Sequence, residues 1–284
     1  MLCARSAEQT QPVRLAISES LVADVNLTDA RAAMQIWLKR IEADLNVTVQ
    51  FDSKIFEPTE EILRRIRNGT VDTVALNVVE YRQVAGFLEP SHIIAESGAG
   101  GTEQYLLLVN RKSGIQHLAD LRKRRLAILK SPKMCVADAW LATILDEAHC
   151  GLAETFFGSL ATETKVSRVV LPTFFGQTDG CITSQHGFAT MCELNPQVGK
   201  DLVAIASSAP LVVTFYIFHR NYRGVSRERF AKVYSDLPNS PAGRQLSVLF
   251  QFESLVVKDT ASLAPALAIL DSAERIREHG GGRK

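Results

Sequence analysis

Several things that would announce a function are missing from this chain of 284 residues. Its five cysteines (Cys3, Cys135, Cys150, Cys181 and Cys192) include no Cys-x-x-Cys pair, which argues against a zinc ribbon or a dithiol redox motif. Cys181 and Cys192 lie near enough in sequence to pair, but two buried free thiols are the favoured reading, and the fold is expected not to depend on disulfides. The six histidines show no His-Glu-x-x-His or other tight ligand spacing, so neither a metal site nor a cofactor is expected. Basic and acidic residues nearly cancel, 32 against 31, leaving a net charge of +1. That balance supplies no broad positive field for nucleic acid and no polybasic membrane patch. No apolar run approaches the length of a bilayer span. There is no Gly-x-Ser-x-Gly elbow, no phosphate-binding Walker loop and no acidic pair in a catalytic setting, so an enzyme is not expected. The start, Met1-Leu2-Cys3-Ala4-Arg5-Ser6-Ala7, lacks the charged and apolar regions of a complete signal peptide and is compatible with the remnant of one.

What is present is a globular composition, 46% hydrophobic and 22% charged, with length enough for two ordinary domains. It also holds a repeat. Asn68-Gly69-Thr70-Val71-Asp72-Thr73-Val74-Ala75-Leu76-Asn77 lies over Phe175-Gly176-Gln177-Thr178-Asp179-Gly180-Cys181-Ile182-Thr183-Ser184, and Tyr81 over Phe188, all at one offset of 107 positions. A Gly-x-x-Asp, a strand and a helix entered through a polar residue, used twice, suggests two similar α/β units. Asp72 and Asp179 could pass for paired carboxylates, but each follows a glycine at a strand entrance, where aspartate ordinarily bonds nearby backbone N–H groups.

Taken in order, Val13–Ile17 alternates as a half-buried strand. A helix starts near Thr28 and stacks Met34, Trp37, Leu38, Ile41 and Leu45 on one face. A strand follows at 47–51. Thr59 caps a second helix, which stops at Asn68-Gly69, where glycine takes the left-handed conformation. Strand 70–77, helix 78–87 and strand 92–96 come next. Ser97–Thr102 reads as a connector or hinge, because it leads into a strand at Tyr105 and so fails as a dinucleotide fingerprint. Ser113 is expected to cap a short helix, Arg122–Arg125 to form a solvated turn, and Ser131 with Pro132 to open a helix burying Val136, Trp140, Ile144 and Leu145. A strand is expected at 165–171 and another at Leu211–Phe218. Helices are expected near 226–236, 241–250 and 262–277, before a disordered Gly280–Lys284. Strands alternating with helices predict largely parallel sheets.

Polar residues at helix starts are the candidate binding groups, because helix N-termini offer unsatisfied N–H groups and partial positive charge to an anion. The candidates are Ser18 and Ser20, Asn77, Ser131 with Lys133, and Thr183, Ser184 and Gln185. Each lies at the C-terminal end of a strand, where open α/β sheets take ligands. Phe56, Tyr105, Phe174 and Tyr216 are candidate cleft walls, with core packing as the alternative for each. Cys135, at a helix start beside Lys133, is a candidate nucleophile that lacks a histidine base near it in sequence.

Phe174-Phe175-Gly176-Gln177-Thr178-Asp179-Gly180-Cys181, Phe188, Glu193-Leu194-Asn195-Pro196-Gln197 and Ser208-Ala209-Pro210-Leu211-Val212 with Phe218 together resemble the solute-binding proteins of phosphate/phosphite/phosphonate ABC transporters. Ser113–Leu121 and Asn68–Asp72 fit the same pattern, over about residues 12–255. The resemblance implies an α/β, two-lobed type 2 periplasmic-binding-protein fold, each lobe a mixed, mostly parallel sheet flanked by helices. It also implies periplasmic capture of a ligand between lobes that close on a hinge, without catalysis. The sequence departs from the family where a Ser-Thr-Ser-Gly-like run is usual after strand 126–129: here stands Lys133-Met134-Cys135-Val136. The family's tyrosine in the second-helix region is Phe56, and its Gly-Pro-like turn is Asn77-Val78. Lys133 either supplies charge in place of the missing hydroxyls or faces solvent.

The expectation is therefore a periplasmic solute-binding protein of an ABC importer taking a small anionic, phosphate- or phosphonate-like ligand. Lobe 1 is placed at 12–100 with 210–284 and lobe 2 at 105–205, with hinges near 97–105 and 205–212. The expected partners are that ligand and a membrane permease, or a sensor kinase if the domain serves signalling. The chain is expected to be a monomer. An enzyme on the same fold is the third reading, and turnover would be needed to support it.

Overall fold

A computed structural model describes residues 12–23, 25–50, 55–97, 102–224, 227–250 and 254–280. In chain order, β1 (Val13–Ser18), α1 (Leu27–Leu45), β2 (Val49–Gln50), β3 (Phe56–Glu57), α2 (Thr59–Arg67), β4 (Thr73–Asn77), α3 (Val78–Val84) and β5 (His92–Ser97) come first. Then follow β6 (Tyr105–Asn110), β7 (Arg125–Leu129), α4 (Ala137–Glu147), α5 (Ala153–Phe156), β8 (Ser159–Glu163), α6 (Val166–Phe174), β9 (Gly180–Ser184), α7 (Gln185–Leu194), α8 (Pro196–Asp201) and β10 (Leu202–Ser207). The chain closes with β11 (Thr214–Phe218), α9 (Arg227–Ser235), α10 (Pro241–Phe250), β12 (Ser254–Asp259) and α11 (Ala264–Gly280). Packing sorts these into two units, one within Met1–Leu76, Gln83–Gly98 and Phe215–Asp259, the other within Asn77–Arg82, Ala99–Thr214 and Thr260–Lys284.

The first unit holds a sheet in the order β12-β5-β11-β4-β1-β2, with β3 also pairing β1. β1 is parallel to β2, β3 and β4, while β5 is antiparallel to β11 and β12. Strand β1 is buried along most of its length, as expected of a strand covered on both faces. Helix α1 lays Ala30, Met34, Trp37, Leu38, Ile41 and Leu45 into the core, where Trp37 meets Tyr234 edge-on with ring centroids 5.0 Å apart. The cap of α1 is Asn26, two residues before Thr28: its Oδ1 accepts from Thr28 N (2.9 Å) and Asp29 N (3.2 Å). The second unit holds a sheet in the order β10-β6-β9-β7-β8, with β7 parallel to β8 and β9, and β6 antiparallel to β9 and β10.

The sequence repeat corresponds to a repeated structural unit. Helices α2 and α6 both end at a glycine with positive φ, Gly69 at 65° and Gly176 at 73°, a backbone that costs glycine least. Three residues later an aspartate clamps an arginine near the start of the adjacent parallel strand. Asp72 Oδ2 accepts from Arg14 N (2.8 Å) and Nε (2.9 Å), and Oδ1 accepts from its terminal amine at 2.7 Å. Asp179 Oδ2 accepts from Arg125 N (2.8 Å) and Nε (3.0 Å) in the same way. The carboxylates therefore hold the strands in register, as the reading of backbone-bonding aspartates expected.

Several local expectations are corrected. Residues 166–174 form helix α6, not a strand; the β-branched run Val166, Val169, Val170 misleads, because Val169, Val170 and Thr173 fall on one buried helical face. Arg122–Arg125 is the exposed turn expected, except that Arg125 already belongs to β7; within it Arg122 lies over the Phe156 ring at 4.8 Å and Lys123 Nζ donates to Thr155 O (3.1 Å). Ser113 ends a 3-10 turn and donates to Asn110 O (2.6 Å), and the next 3-10 turn starts after His117. The helix expected from Ser131 begins only at Ala137, after a 3-10 turn at Pro132–Met134, and Ile144 is only half-buried on it. The segment after 210 was assigned to one lobe, yet α11 packs against α4 and so belongs to the second unit. Residues 98–101, in the hinge expectation, and most of the expected C-terminal tail lie outside the described residues.

His219 carries an expected pH dependence. Its side chain is buried in the first unit, with Nε2 at 3.2 Å from Ile66 O and Nδ1 accepting from Asn221 N at 3.2 Å, the pattern of a neutral ring. Burial pulls its pKa below the ordinary value, against opposing pulls from Ile66 O and Asp72. The unfolded chain then binds more protons than the folded one as pH falls below about 6.5, so stability falls with acidification across that window. A His219→Gln variant keeps a donor for Ile66 O and has no proton to gain, so it should lack this part of the loss. Denaturation midpoints of both proteins between about pH 7 and pH 5 check this, and parallel curves would show that His219 contributes nothing.

Candidate anion-binding site

The candidate groups fall into two sets, one in each unit. In the first unit, Ser18 ends β1 and is fully buried. Its Oγ donates to Ser20 Oγ (3.0 Å) and lies 3.4 Å from Thr59 Oγ1. Three hydroxyls thus meet where β1 ends and α2 begins. The sequence reading took Thr59 for a helix cap, whereas the N-cap of α2 is Pro58 and no side chain caps it. Phe56 lies in the first unit's core at 3% exposure, paired with Ile17 across β1 and β3, and offers a ligand no surface. A concavity of about 490 Å³ on this unit, floored by Trp37 and Leu237 and rimmed by Arg40, Arg229 and Lys232, contains none of the expected residues. Two of its cations are already engaged, Arg40 with Asp44 at 2.7 Å and Arg229 with Leu45 O at 3.2 Å.

In the second unit, the C-terminal ends of β7 and β9 lie at the N-terminal start of β6, since β7 and β9 are parallel and β6 runs against β9. That end gathers Tyr105, Ser131, Lys133, Thr183, Ser184 and Gln185. Tyr105 is fully buried beside Trp140 and cannot wall a cleft; its hydroxyl donates to Lys133 O (2.9 Å) and so braces the turn after β7. The Lys133 side chain is 21% exposed, and its ammonium lies 3.7 Å from a carboxylate oxygen of Glu103, itself 7% exposed. Glu103 is the residue that the sequence reading missed. It is held by two backbone bonds with Leu211, each 2.7 Å. Burial raises its carboxyl pKa, and Lys133 opposes the rise.

The remaining candidates are mostly occupied by their own helices. Asn77 Oδ1 accepts from Val79 N (2.9 Å) and Glu80 N (3.0 Å), while Glu80 reaches back to Asn77 N (2.9 Å), a reciprocal capping box at the start of α3. Ser184 Oγ accepts from Gly187 N (3.0 Å) at the start of α7. Gln185 is exposed and its N–H donates to Gln104 O (2.7 Å). Thr183 is buried, with no hydrogen-bond partner for Oγ1, on the face of β9 opposite Ser184. Ser131 makes no capping bond through its side chain. Cys135 is half-buried; desolvation of its sulfur, with Glu80 and Glu103 adding to it, pushes the thiol up to about 12. It stays protonated at neutral pH and is no nucleophile. Cys135, Cys150, Cys181 and Cys192 are all free thiols. No group of three or more His, Cys, Asp or Glu among the described residues could hold a metal. No helix among them is long and apolar enough to cross a membrane.

Two mixed sheets flanked by helices, with polar groups gathered at strand ends, define the fold of type 2 periplasmic binding proteins. Residues 20–262 match the family described as ABC transporter, phosphonate, periplasmic substrate-binding protein, and the chain belongs to that family. No curated protein sequence matches the chain. Among solved structures it is similar to a binding protein component of an ABC phosphonate transporter from Pseudomonas aeruginosa, with 12% identity, coverage of 96% of this chain and 90% of the other, and a TM-score of 0.61. It is also similar to PhnD1 of Prochlorococcus marinus in complex with methylphosphonate (12% identity, 92% and 98% coverage, TM-score 0.61). A Xanthomonas citri protein bound to ATP matches at 15% identity, 94% and 98% coverage, and a TM-score of 0.63. At such identities these likenesses establish the fold alone.

Proposed function

We propose that the chain captures a small oxyanion, phosphonate- or phosphate-like, in the periplasm and delivers it to the permease of an ABC importer. The observation that carries this reading is Lys133. It stands on the turn after β7, at the strand ends where α/β sheets take ligands, with most of its side chain buried and its backbone braced by Tyr105. A half-buried ammonium held in place gives up little entropy on meeting an anion. It takes over the task of the hydroxyl-rich run that this sequence lacks. In the first unit, the hydroxyls of Ser18, Ser20 and Thr59 meet at the end of β1, uncharged groups of the kind that bond oxyanions. Membership of the substrate-binding family supports binding without turnover, and the protonated Cys135 leaves the site without a thiolate nucleophile.

A thermal-shift panel tests the reading. Phosphate, methylphosphonate, ethanesulfonate and neutral sugars are each added at high excess over the protein. A ligand at 100 times its Kd stabilises by about 2.7 kcal/mol, equivalent to several degrees in Tm for a chain of this size. At least one oxyanion should produce such a shift and the sugars none. A shift with a sugar alone would replace the anion with a neutral solute.

A further inference from the structure

We infer that Glu103 is a charge filter that restricts the site to groups carrying one negative charge, such as sulfonates and singly ionised phosphonates, and turns away dianions. The inference rests on the reading that Lys133 meets the ligand. Glu103 lies 3.7 Å from the Lys133 ammonium, with 7% of its side chain exposed, so it cancels most of the charge that Lys133 would offer. A second carboxylate, Glu80, is also buried at 4% exposure. Both glutamates add to the burial that pushes the Cys135 thiol up. Among the described residues, Tyr105 and Cys135 also interact with Glu103, and both are held neutral by burial. At the Lys133 ammonium, then, a buried carboxylate already stands where a ligand's charge would come.

The N-termini of α3 and α7 do not make up the difference. Asn77 and Glu80 close the start of α3, and Ser184 caps α7. A monoanion that bonds the ammonium has one charge to place beside Glu103, and a dianion has two, in surroundings where burial weakens screening. The consequence is specific to phosphonates. They pass from one charge to two as pH rises through neutrality, whereas a sulfonate carries one charge throughout. Burial also holds the Glu103 carboxyl above its usual range, so any proton it takes up on meeting a dianion moves affinity in the same direction.

Calorimetric titration of the intact chain with methylphosphonate and with ethanesulfonate, at about pH 6 and about pH 8.5, tests this in the wild type and in Glu103→Gln. Glutamine keeps the backbone bonds with Leu211 and removes only the charge. For the wild type, methylphosphonate should bind about tenfold or more weakly at the higher pH, while ethanesulfonate changes by less than about twofold. In Glu103→Gln the loss at higher pH should disappear, and methylphosphonate should bind more tightly there than it does to the wild type. The wild-type arm stands alone if the variant fails to fold. Methylphosphonate binding equally well or better at the higher pH, or a Glu103→Gln effect identical for both ligands, would overturn the filter and leave the role of Lys133 intact. Failure of either ligand to bind either protein would overturn both.

Discussion

Replacing Lys133 by alanine is expected to weaken oxyanion binding by about ten- to a hundredfold, the worth of one hydrogen bond to a charged group in a partly buried setting. The change does more than delete a donor. It leaves Glu103, 7% exposed, without the cation that offsets its burial, so its raised pKa should rise further. The folded chain then binds more protons than the unfolded one above the ordinary carboxylate range, and the variant should lose stability as pH rises through that window. Lys133→Arg keeps the charge but substitutes a planar fork for a point charge, and should recover part of the affinity. Ser131→Ala should cost almost no stability, because the Ser131 side chain makes no capping bond. Calorimetric titration with the best oxyanion of the panel, alongside melts across pH, checks all three variants. Unchanged affinity in Lys133→Ala would show that the lysine serves only to neutralise Glu103.

Asp72→Ala should be the most destabilising of the single changes considered, at about 3 kcal/mol. The Asp72 carboxylate, 15% exposed, accepts a backbone N–H and two guanidinium N–H groups from Arg14. Its removal leaves the backbone N–H of Arg14 without its side-chain acceptor and frees the guanidinium. Asp179→Ala should cost less, because Arg125 is half exposed and water can replace what it loses. The two tryptophans sit one in each unit, Trp37 in the first and Trp140 in the second. Denaturation followed in Trp37→Phe and Trp140→Phe backgrounds therefore reports each unit separately, without assuming a single transition. Asp72→Ala should lower the midpoint seen by Trp37 more than that seen by Trp140, and Asp179→Ala the reverse. Equal shifts at both probes would mean that the aspartates do not act within their own units.

The repeat explains both what was legible and what was not. Gly69 with Asp72 and Gly176 with Asp179 could be aligned by eye, because a left-handed glycine and a strand-entrance aspartate are each demanded by local backbone geometry. The same alignment places α6 over α2, residue for residue, and so already contained the helix that the β-branched residues of 166–174 obscured. Their neighbours were equally visible: Arg14-Leu15-Ala16-Ile17 recurs as Arg125-Leu126-Ala127-Ile128, which marks the two clamped arginines as a pair. The polar ends of β4 and β9 were found, yet Asn77 and Ser184 spend their side chains on their own helices, a choice between cap and ligand that composition does not decide. Glu103 was missed for a different reason. It lies thirty residues before Lys133, outside any helical or strand period, and only the meeting of β6 with the turn after β7 brings it close. The placement of α11 was hidden likewise, since an amphipathic helix signals that it will pack but not on what.

The most direct test of the central claim is a crystal structure of the chain with the best-binding oxyanion of the panel. An oxygen of the ligand should lie within hydrogen-bond distance of Lys133 Nζ, with Glu103 still paired to the same ammonium. A ligand held with Lys133 turned away, or seated instead in the concavity floored by Trp37, would contradict it.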